Sequence, residues 1–164
     1  MIGEAMIETF RTQEAEFVLP ATPQDQTINM LGFFHPALTG LPPADTPPEF
    51  SLVISRDLVD THETVDAFVD RQMQAMETGL PGFALLSRSG LRIDGADGVH
   101  LVYTWQSENG LLFQRQACLH CPPEVAPNPQ TRLMLTITGT SAEALQARYE
   151  TPFNQFLYSL QFRR

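Results

Sequence analysis

The fold is decided by residues 99–119, which read VHLVYTWQSENGLLFQRQACL. Apolar and polar residues alternate on both sides of Asn109-Gly110, and an Asn-Gly pair between two such runs is typical of a tight β-hairpin. We therefore expect two antiparallel strands, Val99–Ser107 and Leu111–Leu119. Because a two-stranded hairpin is only marginally stable in water, the rest of the chain must supply strands that extend it and helices that cover it.

Alternation of the same kind predicts further strands before and after this hairpin. Residues 87–90, SRSG, are expected to form a turn, because they contain one glycine and no helix follows them as it would in a phosphate-binding loop. Residues 35–49 contain five prolines and are expected to form a surface loop. The other predicted strands are Met6–Phe10, Glu16–Leu19, Gln26–Phe34, Phe50–Arg56, Phe83–Ser87, Leu91–Asp94 and Thr131–Thr138.

Two helices are predicted from apolar residues that recur every three or four positions. The first begins at Thr61, a candidate cap for the first turn, and ends at Gly79 and Pro81. The second is opened by Ser141, and Pro152 is expected to kink or restart it because proline removes a backbone donor. Strands, a helix, a meander of strands and a final helix describe an α+β layer fold.

The composition excludes several classes of protein. With 164 residues and 18.3 kDa, the chain suits one domain with a buried core. A net charge of −9, with every one of the ten basic residues an arginine, disfavours nucleic acid as a partner. No apolar stretch is long enough to span a bilayer, so we expect no stable membrane insertion. Acidic Glu4 and Glu8 stand where a secretory signal carries basic residues, so we expect a cytoplasmic location.

The alternate residues of the predicted strands form two faces of different character. One face is strongly apolar and is expected to lie under both helices, whereas the other mixes aliphatic, hydroxyl and amide side chains. We interpret the mixed face as a binding groove, and the alternatives are a permanent contact between copies of the chain or ordinary solvent exposure. The apolar face comprises Leu52, Ile54, Val99, Leu101, Tyr103, Trp105, Leu133, Leu135 and Ile137, and the mixed face comprises Ile28, Met30, Ser51, Val53, Val102, Thr104, Gln106, Leu112, Gln114, Gln116, Met134, Thr136 and Thr138.

The sequence offers little positive indication of catalysis. Cys118 and Cys121 have the spacing of a zinc or redox pair, but a structural zinc needs four ligands and the chain has no second pair of cysteines. G-x-S-x-G, P-loop, dinucleotide-binding and H-E-x-x-H motifs are absent from the sequence. We therefore expect a protein that is not an enzyme, with no catalytic residues, no metal and no cofactor.

Five short motifs follow one another along the chain: EFVLP at 16–20, DQTINML at 25–31, SLVISR at 51–56, FVDRQ at 68–72 and FQRQA at 113–117. In this order they resemble the Eag family, small cytoplasmic chaperones encoded beside type VI secretion effectors and similar to the DcrB and PsbP fold group. The resemblance implies a single chaperone domain over residues 1–164. Its fold would be α+β and DcrB/PsbP-like, with an antiparallel curved β-sheet backed by two helices.

The resemblance also implies a partner and a site. The chain would form a homodimer and shield the apolar N-terminal transmembrane helices of a PAAR or Rhs effector before the effector is loaded on the secretion spike. The alternative function is a regulatory or envelope-associated binding module of the DcrB or PsbP type, without catalysis. The mixed face and the resemblance together give these expected groove residues: Ile28, Met30, Val53, Gln114, Gln116 and Met134.

Overall fold

The structure is a computed structural model that describes residues 9–11, 15–18, 24–27, 30–33, 48–126 and 128–163. Within these residues it contains ten strands and two α-helices. The strands are β1 Thr9–Arg11, β2 Ala15–Val18, β3 Gln24–Thr27, β4 Met30–Phe33, β5 Phe50–Asp60, β6 Ala84–Ile93, β7 Ala96–Ser107, β8 Gly110–His120, β9 Thr131–Ala142 and β10 Gln161–Phe162. The helices are α1 Val65–Gly79 and α2 Gln146–Tyr158.

Seven of the strands form one antiparallel sheet in the order β3-β4-β5-β9-β8-β7-β6. The remaining three form a small sheet in the order β1-β2-β10. The Asp94 carboxylate accepts a hydrogen bond from the backbone N–H of Phe162 at 2.8 Å, which joins the β6–β7 turn to β10. Among the described residues, no helix has both the length and the apolar character needed to cross a bilayer.

Tight turns connect the long hairpins of the large sheet. The predicted β7–β8 hairpin is confirmed: Ser107 pairs with Gly110, whose φ of 121° lies in the region that favours glycine. In the β6–β7 hairpin, Asp94 and Gly95 both have positive φ values, 47° and 82°. A two-residue turn of this kind matches the natural twist of the paired strands and fixes their register.

Two strand predictions were wrong. Residues 87–90 are not a turn but lie inside β6, where Gly90 pairs with Val99 and Ser89 pairs with His100. Residues 26–34 are not one strand, because β3 and β4 run antiparallel to each other with Thr27 opposite Met30. At residues 87–90 the serines and the glycine suggested a turn inside a strand. At residues 26–34 continuous alternation hid the change of direction between two strands.

The helix starts also differ from the sequence prediction. The side chain of Thr64, not Thr61, caps α1 by accepting a hydrogen bond from the N–H of Ala67 at 3.1 Å. Ser141 belongs to the end of β9, and a short 3₁₀ turn precedes α2. Pro152 lies inside α2, and the helix continues across it to Tyr158.

The two helices lie on opposite faces of the large sheet, which we call the α1 face and the α2 face. The prediction that both helices cover one apolar face is wrong. The core on the α2 face includes Phe50, Leu52, Ile54, Ala117, Leu119, Leu133, Leu135 and Ile137 of the sheet with Tyr149, Phe153, Phe156 and Leu157 of α2. The core on the α1 face includes Val99, Leu101, Tyr103, Cys118 and Met134 of the sheet with Val65, Phe68 and Val69 of α1.

The error concerns strand β7. Its buried residues Val99, Leu101 and Tyr103 were recognised as core, but they lie under α1 and not beneath α2 with Leu52. Both faces of β7 carry side chains that a helix can cover, so alternation alone does not show which face each set occupies. The register of β7 and β8 places Trp105 on the α1 face. It places Val102, Thr104 and Gln106 on the α2 face.

Gly139 allows α2 to approach β9 closely. A Cβ atom at this position would lie 2.7 Å from Cζ of Phe50 and 2.8 Å from Cδ2 of Phe153. These distances are shorter than van der Waals contact, so a side chain other than hydrogen would force the aromatic rings apart. The α2 face is therefore closed by tight packing at its centre.

Candidate functional site

The α1 face is only partly covered by its helix. Two rows of side chains cross β5, β9 and β8 beside the α1 core, namely Ser51–Thr140–Gln114 and Val53–Thr138–Gln116. Trp105 and its cross-strand neighbour Leu112 continue the same face on β7 and β8. We call this set the open strip. Its eight residues are half-buried and none is charged: Ser51, Val53, Trp105, Leu112, Gln114, Gln116, Thr138 and Thr140.

Five of the six polar side chains of the open strip are paired with each other. Nε2 of Gln114 donates to Oγ1 of Thr140 at 2.7 Å, and Nε2 of Gln116 donates to Oγ1 of Thr138 at 3.1 Å. The indole N–H of Trp105 donates to Oε1 of Gln114 at 2.9 Å. Because these groups already have partners, covering them with an apolar surface costs less than covering unpaired amides.

One edge of the open strip is formed by α1, which ion pairs hold to the sheet. Arg88 on β6 contacts Asp70 at 2.7 Å and Asp66 at 3.3 Å, and both acids belong to α1. The hydrogen bond from Arg88 to Asp70 is the main reason that the pKa of this arginine is raised. The ion pairs and the buried core beneath α1 fix the position of this edge.

Three of the predicted groove residues come together in the open strip. Val53 lies on β5, and Gln114 and Gln116 lie two strands away on β8. Met30 contributes its backbone position, since it pairs with Val53 at the outer side of the strip. Ile28 lies outside the described residues.

The sixth predicted groove residue, Met134, is not in the open strip. Its side chain is 0% exposed and belongs to the core beneath α1, so the structure removes it from the candidate site. Sequence reasoning also missed two members of the strip. Trp105 was assigned to the other face, and Thr140 lies beyond the predicted end of its strand. The pairing of Thr140 with Gln114 becomes evident only once the register of β8 and β9 is known.

The two cysteines lie on different faces of the sheet. Cys118 is buried on the α1 face, and burial raises the pKa of its thiol to about 11. Cys121 is buried in the α2-face core. Thr136 donates to the sulfur of Cys118 at 3.7 Å. A protonated thiol in an apolar core is unreactive. The two cysteines also belong to separate cores on opposite faces of the sheet, which does not suit a redox or metal-binding pair. Within the described part of the chain, no three His, Cys, Asp or Glu side chains are grouped as metal ligands.

A cavity of about 840 Å³ lies elsewhere, between the start of α1 and the ends of β6, β7 and β8. Its charged side chains include Arg92 and Asp97, which contact each other at 3.4 Å. His120 also lines it, and burial lowers the pKa of this imidazole. Acidic and basic groups are mixed around this cavity, and they form no arrangement of nucleophile, base and oxyanion donors.

Comparisons with known proteins agree with this architecture. The sequence profile of the DcrB family matches residues 14–159. A protein named Effector EagT6, from Pseudomonas aeruginosa strain PAO1, is 34% identical over 134 residues, which cover 82% of this chain and 83% of the relative.

Two solved structures are similar along nearly the whole chain. The crystal structure of a Pseudomonas aeruginosa protein of unknown function is 30% identical, has a TM-score of 0.61 and covers 98% of this chain and 99% of its own. The solution structure of cyanobacterial PsbP from Synechocystis sp. PCC 6803 is 12% identical, has a TM-score of 0.57 and covers 99% and 95%. The PsbP likeness concerns the fold alone, and it confirms the predicted α+β, PsbP-like arrangement of an antiparallel sheet with two helices.

Proposed function

The chain belongs to the DcrB family and is related to Effector EagT6, and from this premise we propose that it is a chaperone of the Eag type. Its partner is an effector of the type VI secretion system that carries a PAAR or Rhs domain. The chaperone binds and shields the apolar N-terminal helices of this effector until the effector is loaded on the secretion spike. The role is one of binding without catalysis, and it places the chain in the cytoplasm.

The observation that carries the proposal is the open strip. A solvated sheet face normally carries charged side chains, whereas a sealed core excludes glutamine. The open strip has neither character: aliphatic Val53 and Leu112 lie beside amides and hydroxyls that are paired with each other. Such a surface stays hydrated when it is empty and can be covered by an apolar partner without leaving a charge unpaired.

The chemistry of the partner explains why such a surface is needed. A membrane-spanning helix of about 20 apolar residues would aggregate in water or insert into the membrane of the producing cell. Polar groups that pair across helices are a normal feature of such segments, so glutamine and threonine side chains suit their recognition. The net charge of −9 disfavours adhesion of the chaperone to anionic lipid.

We also propose that two copies of the chain associate. Strand β6 ends the large sheet, and its residues 84–90 are all exposed, including Leu85 and Leu86. An exposed edge strand with apolar side chains favours pairing with another chain. Light scattering at micromolar concentration is expected to give about twice the 18.3 kDa of one chain. A mass of 18.3 kDa across the concentration range would contradict the homodimer.

The proposed function is tested by co-expressing the chain with the N-terminal apolar segment of a PAAR effector fused to a soluble carrier. Wild type should keep the fusion in the soluble fraction and co-purify with it. Val53→Asp should abolish co-purification, because the new carboxylate would be buried without a partner when the segment binds.

The matched control is Val102→Asp. Val102 is also a half-buried valine of the large sheet, but it lies on the α2 face. This variant should retain the effector segment. Loss of binding in both variants, or in neither, would contradict the assignment of the open strip as the binding surface.

A further inference from the structure

Two hydrogen bonds of the open strip join Trp105 to Gln114 and Gln114 to Thr140, and the indole N–H of Trp105 fixes their direction. The indole N–H of Trp105 can donate but cannot accept, so the Gln114 atom that faces it must be the carbonyl oxygen Oε1. The amide nitrogen of Gln114 must then face Thr140, to which it donates at 2.7 Å. Thr140 therefore acts as an acceptor toward Gln114.

The Thr140 hydroxyl consequently keeps its own hydrogen for another partner. Gln114 is its only hydrogen-bond partner among the described residues, and Thr140 is half-buried in the open strip. A hydroxyl that accepts from an amide still carries one donor hydrogen. This position of the strip therefore offers a donor to whatever covers it.

In the second amide–hydroxyl pair, Gln116 and Thr138, no donor-only group fixes the orientation of the amide. Nε2 of Gln116 donates to Thr138 at 3.1 Å, and its Oε1 receives only a contact of 3.9 Å from the thiol of Cys118. A thiol is a weak donor, and a hydroxyl can either donate or accept. The amide of Gln116 can therefore turn around to suit a partner, whereas the amide of Gln114 cannot.

We propose that Trp105 is a positioning residue for client recognition: it fixes Gln114 so that the Thr140 hydroxyl donates to an oxygen of the bound apolar helix. The inference rests on the proposed function. The fitting oxygen is a serine hydroxyl, because a serine in a helix donates to the carbonyl four residues earlier and keeps a free lone pair. In apolar surroundings the pairing of these two hydroxyls favours helices that contain serine over helices that lack it.

The hydrogen bond from Trp105 to Gln114 is tested directly through the indole N–H resonance in NMR spectra, since Trp105 is the only tryptophan in the chain. In wild type this resonance should exchange slowly with solvent. Gln114→Leu should accelerate its exchange and move its chemical shift while the melting temperature stays close to wild type. An unchanged indole resonance in Gln114→Leu would overturn the positioning role.

The test of recognition uses defined probes. Each is a segment of twenty leucine and alanine residues on a soluble carrier, with one serine moved through seven successive central positions, or with alanine throughout. For the best serine position, Trp105→Phe and Thr140→Val should each lower affinity about three- to tenfold, the range expected for one hydrogen bond. In both variants the loss should be larger for the serine probe than for the alanine probe, so that the preference for serine falls, and Thr140→Ser should bind the serine probe as wild type does.

The possible results separate the two proposals. If neither probe binds to wild type, the proposed function fails, and the recognition part of this inference fails with it. If wild type binds both probes and Trp105→Phe lowers both affinities equally, Trp105 acts only through packing and the inference is overturned. An equal affinity of wild type for the serine and alanine probes would also overturn it.

Discussion

The two faces of the large sheet differ in how completely a helix covers them. On the α2 face, aromatic residues of α2 close over Leu52, Ile54 and Ile137, which are at most 1% exposed. On the α1 face, the helix covers a compact core that includes Met134 and leaves the open strip half-buried beside it. The α2 face therefore supplies most of the apolar burial that stabilises the domain, and the open strip is a half-buried, uncharged part of the α1 face that a partner can cover.

The largest expected effect comes from one substitution made on each face at neighbouring positions. Leu52→Asp should abolish folding, because it places a carboxylate without a partner in the α2-face core. Val53→Asp should fold with a cooperative melt, since its side chain lies in the half-buried open strip. Circular dichroism melts of the two variants provide the measurement. Unfolding of Val53→Asp to the same degree would mean that the open strip is part of a sealed core.

A smaller effect is expected at the close contact between α2 and β9. Gly139→Ala should destabilise the domain by about 1–3 kcal/mol, because the new methyl group overlaps the rings of Phe50 and Phe153. Gly90→Ala is the control, since a Cβ at Gly90 meets no atom within 4 Å. Chemical denaturation of both variants measures the difference. Equal stability of the two variants would contradict the tight packing described for the α2 face.

The smallest expected effect is a dependence of stability on pH at the margin of the α2 face. His100 stacks against Phe153 with ring centroids 6.0 Å apart, and its Nε2 is buried without a partner among the described residues. Burial, and then the nearby charge of Arg115, lower the pKa of His100 below 6.5. Well above pH 6.5 both the folded and the unfolded chain hold this imidazole neutral, so its contribution to stability is complete.

As the pH falls below 6.5, the unfolded chain takes up the proton first, and stability is lost until the pH passes the lower pKa of the folded state. His100→Phe keeps an aromatic ring and removes the titration. Between pH 7 and pH 5, the melting temperature of wild type should fall further than that of this variant. Parallel profiles of wild type and His100→Phe would show that His100 does not contribute.

Much of the fold could be predicted from local patterns. The Asn109-Gly110 pair correctly predicts the β7–β8 hairpin, although the two turn residues are Glu108 and Asn109 and Gly110, with its positive φ, is the first residue of β8. The end of α1 follows from Gly79 and Pro81, and the apolar side of each long strand follows from alternation. The resemblance to the Eag family gave the family and the fold, which the comparisons confirm.

The relation between elements could not be predicted in the same way. Each strand of this sheet has a side that some helix covers, so the sequence of β7 alone does not show whether Leu101 lies under α1 or under α2. For the same reason Met134 was placed in the groove although it lies under α1. The partnership of Trp105, Gln114 and Thr140 depends on the register of three strands, which alternation within one strand does not determine.

The central claim, that the open strip binds the apolar helix of an effector, is tested most directly by photo-crosslinking. A photoreactive amino acid replaces Thr138 in the open strip or Thr104 on the α2 face, and both threonines are half-buried. Each variant is co-expressed with the N-terminal apolar segment of a PAAR effector and irradiated. We expect a crosslink to the segment from position 138 and none from position 104. A crosslink from position 104, with none from position 138, would contradict binding at the open strip.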